Sequence, residues 1–463
     1  MALRLTFHGG AGTVTGSNFL VEGAKGSILI DCGLEQGRDF CQECMYAPFA
    51  YDVPAIDAVI VTHAHLDHIG RLPKLMREGF RGKVYMTDAT RDLTEVMLRD
   101  SVGIMAEEAK KRGLVPLFED ADVTALLAHI ETIPYHKELA VAPGLSVFLR
   151  HTGHILGSAS VRVKDEAGVT LAITGDIGNT PSPYLPDWEA VDDADAVVME
   201  SVYGDRLHPH LDTRVATLRD TMKRALAKKG TILMPAFSIE RTQLMLYELS
   251  NLMEAGELPQ FPVFLDSPLA ISATEIYEQH SEYFNQAAQD ETKKERSIFR
   301  FPFLTMTRGR EESRAIEEVA GTKLIIAGAG MSHGGRIGRW EQKYLPDPST
   351  TLLIVGYQAP GSPGRMLQDG SKTVKLDGRP VKVRATVETL SSWSAHADRD
   401  GLLKFAHAAL PRAKAIFVAI GEPSSQRFLA QRMHEFLNAP TIVPKDGESW
   451  VITKDGATKE KAR

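Results

Sequence analysis

The sequence predicts an α/β protein whose sheets are covered by helices. Two observations predict it. Roughly the first 200 residues read as short apolar strands broken by glycine turns, with helices between some of them. After Ser201 the pattern becomes regular strand–helix alternation, the mark of a mainly parallel sheet with crossover helices.

The elements follow in order. Leu3–Phe7, Asn18–Glu22, Ser27–Asp31 and Asp57–Thr62 have the length and apolar content of strands. A long helical pattern covers Thr87–Lys111. Strands return at Leu145–Arg150, Ser160–Lys164, Val169–Thr174 and Ala196–Ser201. Leu211, Val215, Leu218, Met222 and Leu226 recur at helical spacing, and Gly230 stops that helix. Thr231–Ala236, Val263–Asp266, Lys323–Ala327 and Leu352–Val355 read as strands. Helices are expected from Arg241 and near Ile271–Gln279, with a helical stretch between the last two strands. A strand pair is expected at Thr373–Leu376 and Val381–Glu388. A helix near Leu402–Ala409, a strand Ala415–Ile420 and a final helix close the pattern, and the charged stretch Lys454–Arg463 is expected to fray.

The bulk composition narrows the class. A length of 463 residues suggests about two to four domains. The content of 43% hydrophobic and 24% charged residues is that of a globular protein with more than one core. A net charge of −7 excludes a wholly basic surface, so any nucleic-acid contact has to come from a local basic groove. No apolar run approaches the ~20 residues of a membrane span, and MALRLTFHGG does not read as a signal peptide. The three cysteines cannot form a disulfide framework, which points to a reducing, cytoplasmic setting. Cys41 and Cys44 form a lone CxxC without the second pair that a closed zinc site needs, and read as reduced thiols in a loop.

One constellation carries chemistry. His63-Ala-His65-Leu-Asp67-His68 follows the apolar strand directly, placing four ligand-type side chains in six positions. Imidazole nitrogens and carboxylate oxygens are what a catalytic zinc takes, with one position left for water. Such a loop can aim two histidines at one metal and the Asp-His pair at a second. Further candidates stand at strand ends: Asp31, His154 and Asp176. Asp after a strand is common turn chemistry, so the order of the set matters more than any single member.

That order resembles the metallo-β-lactamase superfamily. The resemblance implies that His63, His65 and His154 hold a first zinc and that Asp67 and His68 hold a second. It also implies that Asp176 bridges the two and that Asp31 orients the cluster. A carboxylate has two oxygens and can bridge two cations. Together the cations lower the pKa of a shared water towards neutrality and stabilise charge on a pentacoordinate phosphate.

Later motifs resemble the β-CASP nuclease branch, closest to bacterial and archaeal relatives of the mRNA 3′-end-processing endonuclease. They are Glu200-Ser-Val-Tyr-Gly, Pro235-Ala-Phe237 with Arg241 and Gln243, and Gly330-Met-Ser-His-Gly-Gly-Arg336. Gly356-Tyr-Gln-Ala-Pro-Gly-Ser-Pro-Gly364-Arg365 and Ser394-Ala-His396-Ala-Asp398 complete the set. The resemblance covers almost the whole chain. It implies an αββα sandwich, residues 1–205 completed by 389–463, with an α/β cap inserted at 206–388. It also implies a metal-dependent hydrolase that cleaves single-stranded RNA as an endonuclease, with exonuclease action also open. A sugar alkoxide is a strongly basic leaving group, so a proton donor is valuable. His396 suits that role, with Glu200 to orient it and Asp67 beside the metals. Arg241, Arg336, Gly364 and Arg365 are candidate phosphate contacts. Members of the family often form homodimers, but nothing in this sequence demands one.

One position departs from the RNA-cleaving pattern. Ile420-Gly-Glu stands where those members place a histidine after a late strand. An aliphatic side chain cannot ligate zinc, so the second site is expected to be weaker and manganese stays in play. Ile420 resembles the DNA-processing members, whereas the longer motifs resemble the RNA type and are given more weight. Glu35 and Glu240 also depart, standing where a bulky apolar residue and a glycine are usual. A DNA nuclease and a weakly active binding subunit therefore remain as alternatives, with a small-ester or lactam hydrolase last. A Rossmann dinucleotide site is a poor fit, because His333 occupies the third-glycine position after Gly328 and Gly330.

Overall fold

A computed structural model describes residues 2–35, 45–208, 213–295 and 297–461. The chain folds as two compact units, residues 1–207 with 396–463, and residues 208–395.

The first unit contains two sheets. One has eight strands in the order Gly456–Lys459, Ser449–Thr453, Leu3–Phe7, Phe19–Glu22, Ser27–Ile30, Ala58–Ile60, Lys83–Met86 and Ile130–Thr132. The other has seven: Thr441–Ile442, Ala415–Val418, Ala196–Met199, Thr170–Ile173, Ala159–Asp165, Leu145–His151 and Leu139–Ala142. The period-two alternation of the strands assigns their faces. Ile28, Ile30, Ala58 and Ile60 pack in one core with Leu171, Ile173, Val198 and Phe417 of the other sheet. The residues between them point outward. Leu29 and Val59 pack with Leu72, Leu75 and Leu126 of covering helices and with Phe80 just beyond one of them. Ala172, Val197, Ile416 and Val418 pack with Leu402, Phe405, Leu429 and Met433. Four layers result, helix, sheet, sheet, helix, which is the αββα sandwich expected.

The second unit is built on a six-stranded sheet whose strand pairs are all parallel. Its order is Leu304–Met306, Val263–Leu265, Lys323–Ala327, Thr231–Pro235, Thr351–Ile354 and Thr386–Thr389. Thr373–Leu376 and Arg379–Lys382 form a separate hairpin.

Three local readings change. Val381–Glu388 is not one strand. The amides of Arg384 and Ala385 donate to Leu345 O, which breaks the run between the hairpin and the parallel edge strand Thr386–Thr389. The stretch from Lys454 is not frayed at its start, because Gly456–Lys459 pairs with Ser449–Thr453. Two of its charges sit in ion pairs, Lys459 with Glu448 and Glu460 with Arg4. The short strands Lys83–Met86, Ile130–Thr132, Leu139–Ala142 and Leu304–Met306 carried too few residues to show a period. Leu211, Cys41 and Cys44 lie outside the described residues.

Candidate metal centre

The strand Ala58–Ile60 delivers the chain to Thr62, and the short helix Leu66–Ile69 begins three residues after His63. One helical turn then sets Asp67 and His68 beside each other, His68 fully buried and Asp67 partly exposed. Gly33, on the segment after Asp31, lets that backbone pass close against this loop. A β-carbon there would fall 1.6 Å from the Asp67 carbonyl oxygen.

Four ligand-type atoms converge. His65 Nδ1 lies 3.1 Å from His63 Nε2 and 3.2 Å from His154 Nε2. Asp176 Oδ2 lies 3.3 Å from both His63 Nε2 and His154 Nε2. Metal–ligand bonds of about 2.0–2.1 Å place tetrahedral ligand atoms roughly 3.3–3.4 Å apart, close to these four separations. Beside it, His68 Nε2 lies 3.5 Å from Asp176 Oδ1 and 4.0 Å from Asp67 Oδ2. His68 Nε2 and Asp176 Oδ1 are buried without a hydrogen-bond partner among the described residues. Two orphaned polar atoms in one buried place cost several kcal/mol unless a cation satisfies both. The donor set therefore fits a divalent metal, with Asp176 presenting one oxygen to each cluster.

The electrostatics agree. Burial pushes His63, His65 and His154 below the usual histidine range, towards the neutral form that ligates. Burial opposes charge on Asp176 too, but the surrounding histidines outweigh it and hold the carboxyl well below its ordinary value. On the far side of His68, Nδ1 lies 2.6 Å from Asp31 Oδ2. Asp31 is itself held by the Thr62 amide at 2.8 Å, by the Thr62 hydroxyl and by the Ser17 hydroxyl. This carboxylate–histidine pairing fixes which imidazole nitrogen faces the cluster. Ser17 and Thr62 were missed in the sequence, where hydroxyls at strand ends give no distinguishing signal.

A second pair adjoins the first. His396 Nδ1 lies 3.3 Å from Glu200 Oε1 and 3.9 Å from Asp176 Oδ2. Glu200 is fully buried and accepts from the Ile177 amide at 2.6 Å and the Val202 amide at 3.3 Å. Burial disfavours charge on His396, but Glu200 and Asp176 overcome it and push the imidazole up to about 9. The Ala397 amide donates to Ile177 O at 2.8 Å, so the same short segment positions both partners.

Comparison with known proteins now bears on this cluster. Residues 11–236 match the family model of the metallo-beta-lactamase superfamily, 242–367 that of the Beta-Casp domain, and 380–444 that of the Zn-dependent metallo-hydrolase RNA specificity domain. A Thermus thermophilus protein named ribonuclease TTHA0252 is 37% identical, across 87% of this chain and 90% of its own length. The chain belongs to the β-CASP branch of the metallo-β-lactamase superfamily. An RNase J-like protein of Methanocaldococcus jannaschii is 29% identical over 96% of this β-CASP chain and 98% of its own. Transcription termination factor FttA of Methanosarcina mazei is 30% identical over 95% of this chain and 70% of its own. A protein of unknown function from Enterococcus faecalis V583 shares the fold alone, with TM-score 0.55, 14% identity and coverage of 98% and 100%.

The four candidate phosphate contacts of this β-CASP protein all lie in the second unit, and its arginines are already engaged within it. Arg336 is paired at 2.6 Å with the buried Asp266 and also donates to Thr307 O and Arg308 O. Arg241 is buried and donates to Val355 O. Arg365 pairs with Asp369 at 2.9 Å, and Gly364 is packed against Gln358. Glu240, at φ +66°, accepts from the Tyr277 hydroxyl at 2.7 Å. Glu35 lies against Gly16, where a β-carbon would meet its Cγ at 2.5 Å. No helix among the described residues is long and apolar enough to cross a membrane.

Proposed function

We propose that this protein is a metal-dependent ribonuclease that hydrolyses phosphodiester bonds of single-stranded RNA. The observation that carries the reading is the convergence of His63, His65, His154 and Asp176 at 3.1–3.3 Å beside the His396–Glu200 pair. The relatives named ribonuclease and RNase J-like, and the match to an RNA specificity domain over 380–444, support RNA as the substrate.

His63, His65 and His154 would hold a first zinc, Asp67 and His68 a second, and Asp176 both. When bound, the metal supplies an activated water and Lewis-acid stabilisation of the phosphate. The chain's own residues do the rest. Asp31 locks the His68 ring so that Nε2 faces Asp176. Glu200, fixed by two backbone amides, holds His396 by Nδ1 and leaves Nε2 to carry a proton to the departing sugar oxygen. Lactam or ester hydrolysis has less need of that donor. The parallel-sheet unit, 208–395, would bind the strand. Ile420 supplies no ligand nitrogen, so the second site would be the weaker one and would also take manganese. Cys32 is a buried free thiol, which supports a reducing, cytoplasmic setting.

The test is cleavage of end-labelled single-stranded RNA and the identical DNA sequence, with zinc or manganese, beside Asp176→Ala. RNA cut by the wild type alone is the expected result. Preferential DNA cleavage would make Ile420 a substrate determinant and overturn the RNA assignment. Equal activity in Asp176→Ala would overturn the metal centre.

A further inference from the structure

In the second unit every ladder of the main sheet is parallel, so the strands end at one edge. From Thr231–Pro235 the chain moves to Val263–Leu265, on the far side of Lys323–Ala327. From Lys323–Ala327 it moves the opposite way, to Thr351–Ile354 on the far side of Thr231–Pro235. Right-handed crossovers in opposite directions leave from opposite faces, which opens a crevice outside the carboxyl ends of these two neighbouring strands. Ligands of open parallel sheets bind at such switch points.

Phe237 stands at this crevice, two residues beyond the end of Thr231–Pro235. Its side chain is 38% exposed. The ring edge rests on backbone that follows both adjacent strands. A β-carbon at Gly330 would fall 3.0 Å from Phe237 Cδ2, and one at Gly356 would fall 3.2 Å from Cε2. Only glycines leave room for the ring to sit there. Tyr357, the next residue after Gly356, is a second exposed aromatic at 47%. The helices Arg241–Glu254 and Gly335–Tyr344 begin in the same two loops, and neither start has a side-chain cap. Their loops are closed by backbone bonds instead, Arg241 N–H to Ile239 O, Thr242 N–H to Phe237 O and Ile337 N–H to Gly328 O, which fix the backbone around the ring. An open aromatic face held on rigid backbone is how proteins grip unpaired nucleotides, with the base stacked on the ring.

We infer that Phe237 is a base-stacking residue, flanked by Tyr357, and that this crevice takes one unpaired nucleobase of the RNA strand. The inference rests on the ribonuclease reading above. It assigns substrate grip to an aromatic face rather than to the engaged arginines. Stacking is indifferent to base identity, because every base presents a π face.

The test uses the metal-loaded full chain in steady-state cleavage of a single-stranded RNA. Wild type is compared with Phe237→Ala, Phe237→Leu and Phe237→Trp, on the intact oligonucleotide and on a series with one abasic nucleotide at successive positions. Phe237→Ala and Phe237→Leu should raise KM about 5- to 150-fold with kcat near wild type, and Phe237→Trp should restore it. One abasic position should impose the same penalty on wild type and none further on Phe237→Ala. An unchanged KM in Phe237→Ala, rescue by Phe237→Leu, or additive abasic penalties at every position would overturn the inference while leaving the ribonuclease reading intact. Absence of RNA cleavage by the wild type would overturn both.

Discussion

Ile420 adopts φ +41°, a left-handed conformation that a β-branched side chain rarely enters. Its amide donates to Gly10 O at 2.6 Å and its carbonyl accepts from the Ser201 amide at 2.9 Å, so the backbone is held from both sides. The side chain packs in the sandwich core with Phe7, Phe19 and Phe417. Histidine enters this region more readily than isoleucine. Ile420→His is therefore expected to fold and to raise the amount of divalent metal bound per chain, read by elemental analysis after dialysis. Unchanged stoichiometry would show that residue 420 does not face the second site. A further residue-scale prediction concerns Glu200→Gln. Removing the charge beside His396 should lower kcat roughly 100-fold with little change in KM, measured on RNA. A comparable rise in KM would instead mean that Glu200 shapes substrate binding. The run His63 to His68 stood out in the sequence because four ligand-type residues lie within six positions, whereas His154 and Asp176 carried weight only through their order. Ile420 was legible as a departure, but its strained backbone was not, since no local pattern reports φ.

The helix Arg399–Ala409 starts two residues after Ala397, and Asp398 caps it by accepting from the Gly401 amide at 3.0 Å. That cap also fixes the segment from which His396 projects. Asp398→Ala should cost about 1 kcal/mol in chemical denaturation and lower kcat, while Asp398→Asn, which keeps the acceptor, should do neither. Loss of stability with full activity would separate the cap from the site. At this scale the sequence was informative wherever an element was long or strictly periodic. Asp88–Arg112, Thr231–Pro235 and Lys323–Ala327 fell within a residue or two of expectation. The hairpin Ser449–Thr453 with Gly456–Lys459 was missed because its ends are charged, and only the finished sheet shows those charges paired with Glu448 and Arg4.

Across the whole molecule, two buried carboxyls make stability depend on pH. Burial pushes Glu341 up to about 7 and Glu248 up to about 7, above their ordinary value of 4.5. Between pH 4.5 and 7 the folded chain then binds more protons than the unfolded one, so stability is greatest at the acid end and is lost as pH rises through 7. Glu341→Gln, which keeps the acceptor for the Ser332 hydroxyl, should flatten this slope and raise stability at pH 8 by up to about 3 kcal/mol. Urea midpoints at pH 5 and pH 8 measure it, and a parallel shift at both would refute the charge argument. The layered αββα plan was legible only through the resemblance of the motifs, since the strand pattern by itself gave no more than sheets covered by helices. Which strands neighbour one another was not, because the first unit is assembled from two distant stretches of chain. Leu3–Phe7 pairs with Ser449–Thr453, and Ala196–Met199 pairs with Ala415–Val418. A ribosome making this protein therefore releases His63, Asp176 and then His396 before the strands Ala415–Val418 and Ser449–Thr453 that complete the two sheets. The first unit cannot close around its histidines until those later strands have been made, so its two sheets form only after the whole second unit has left the ribosome.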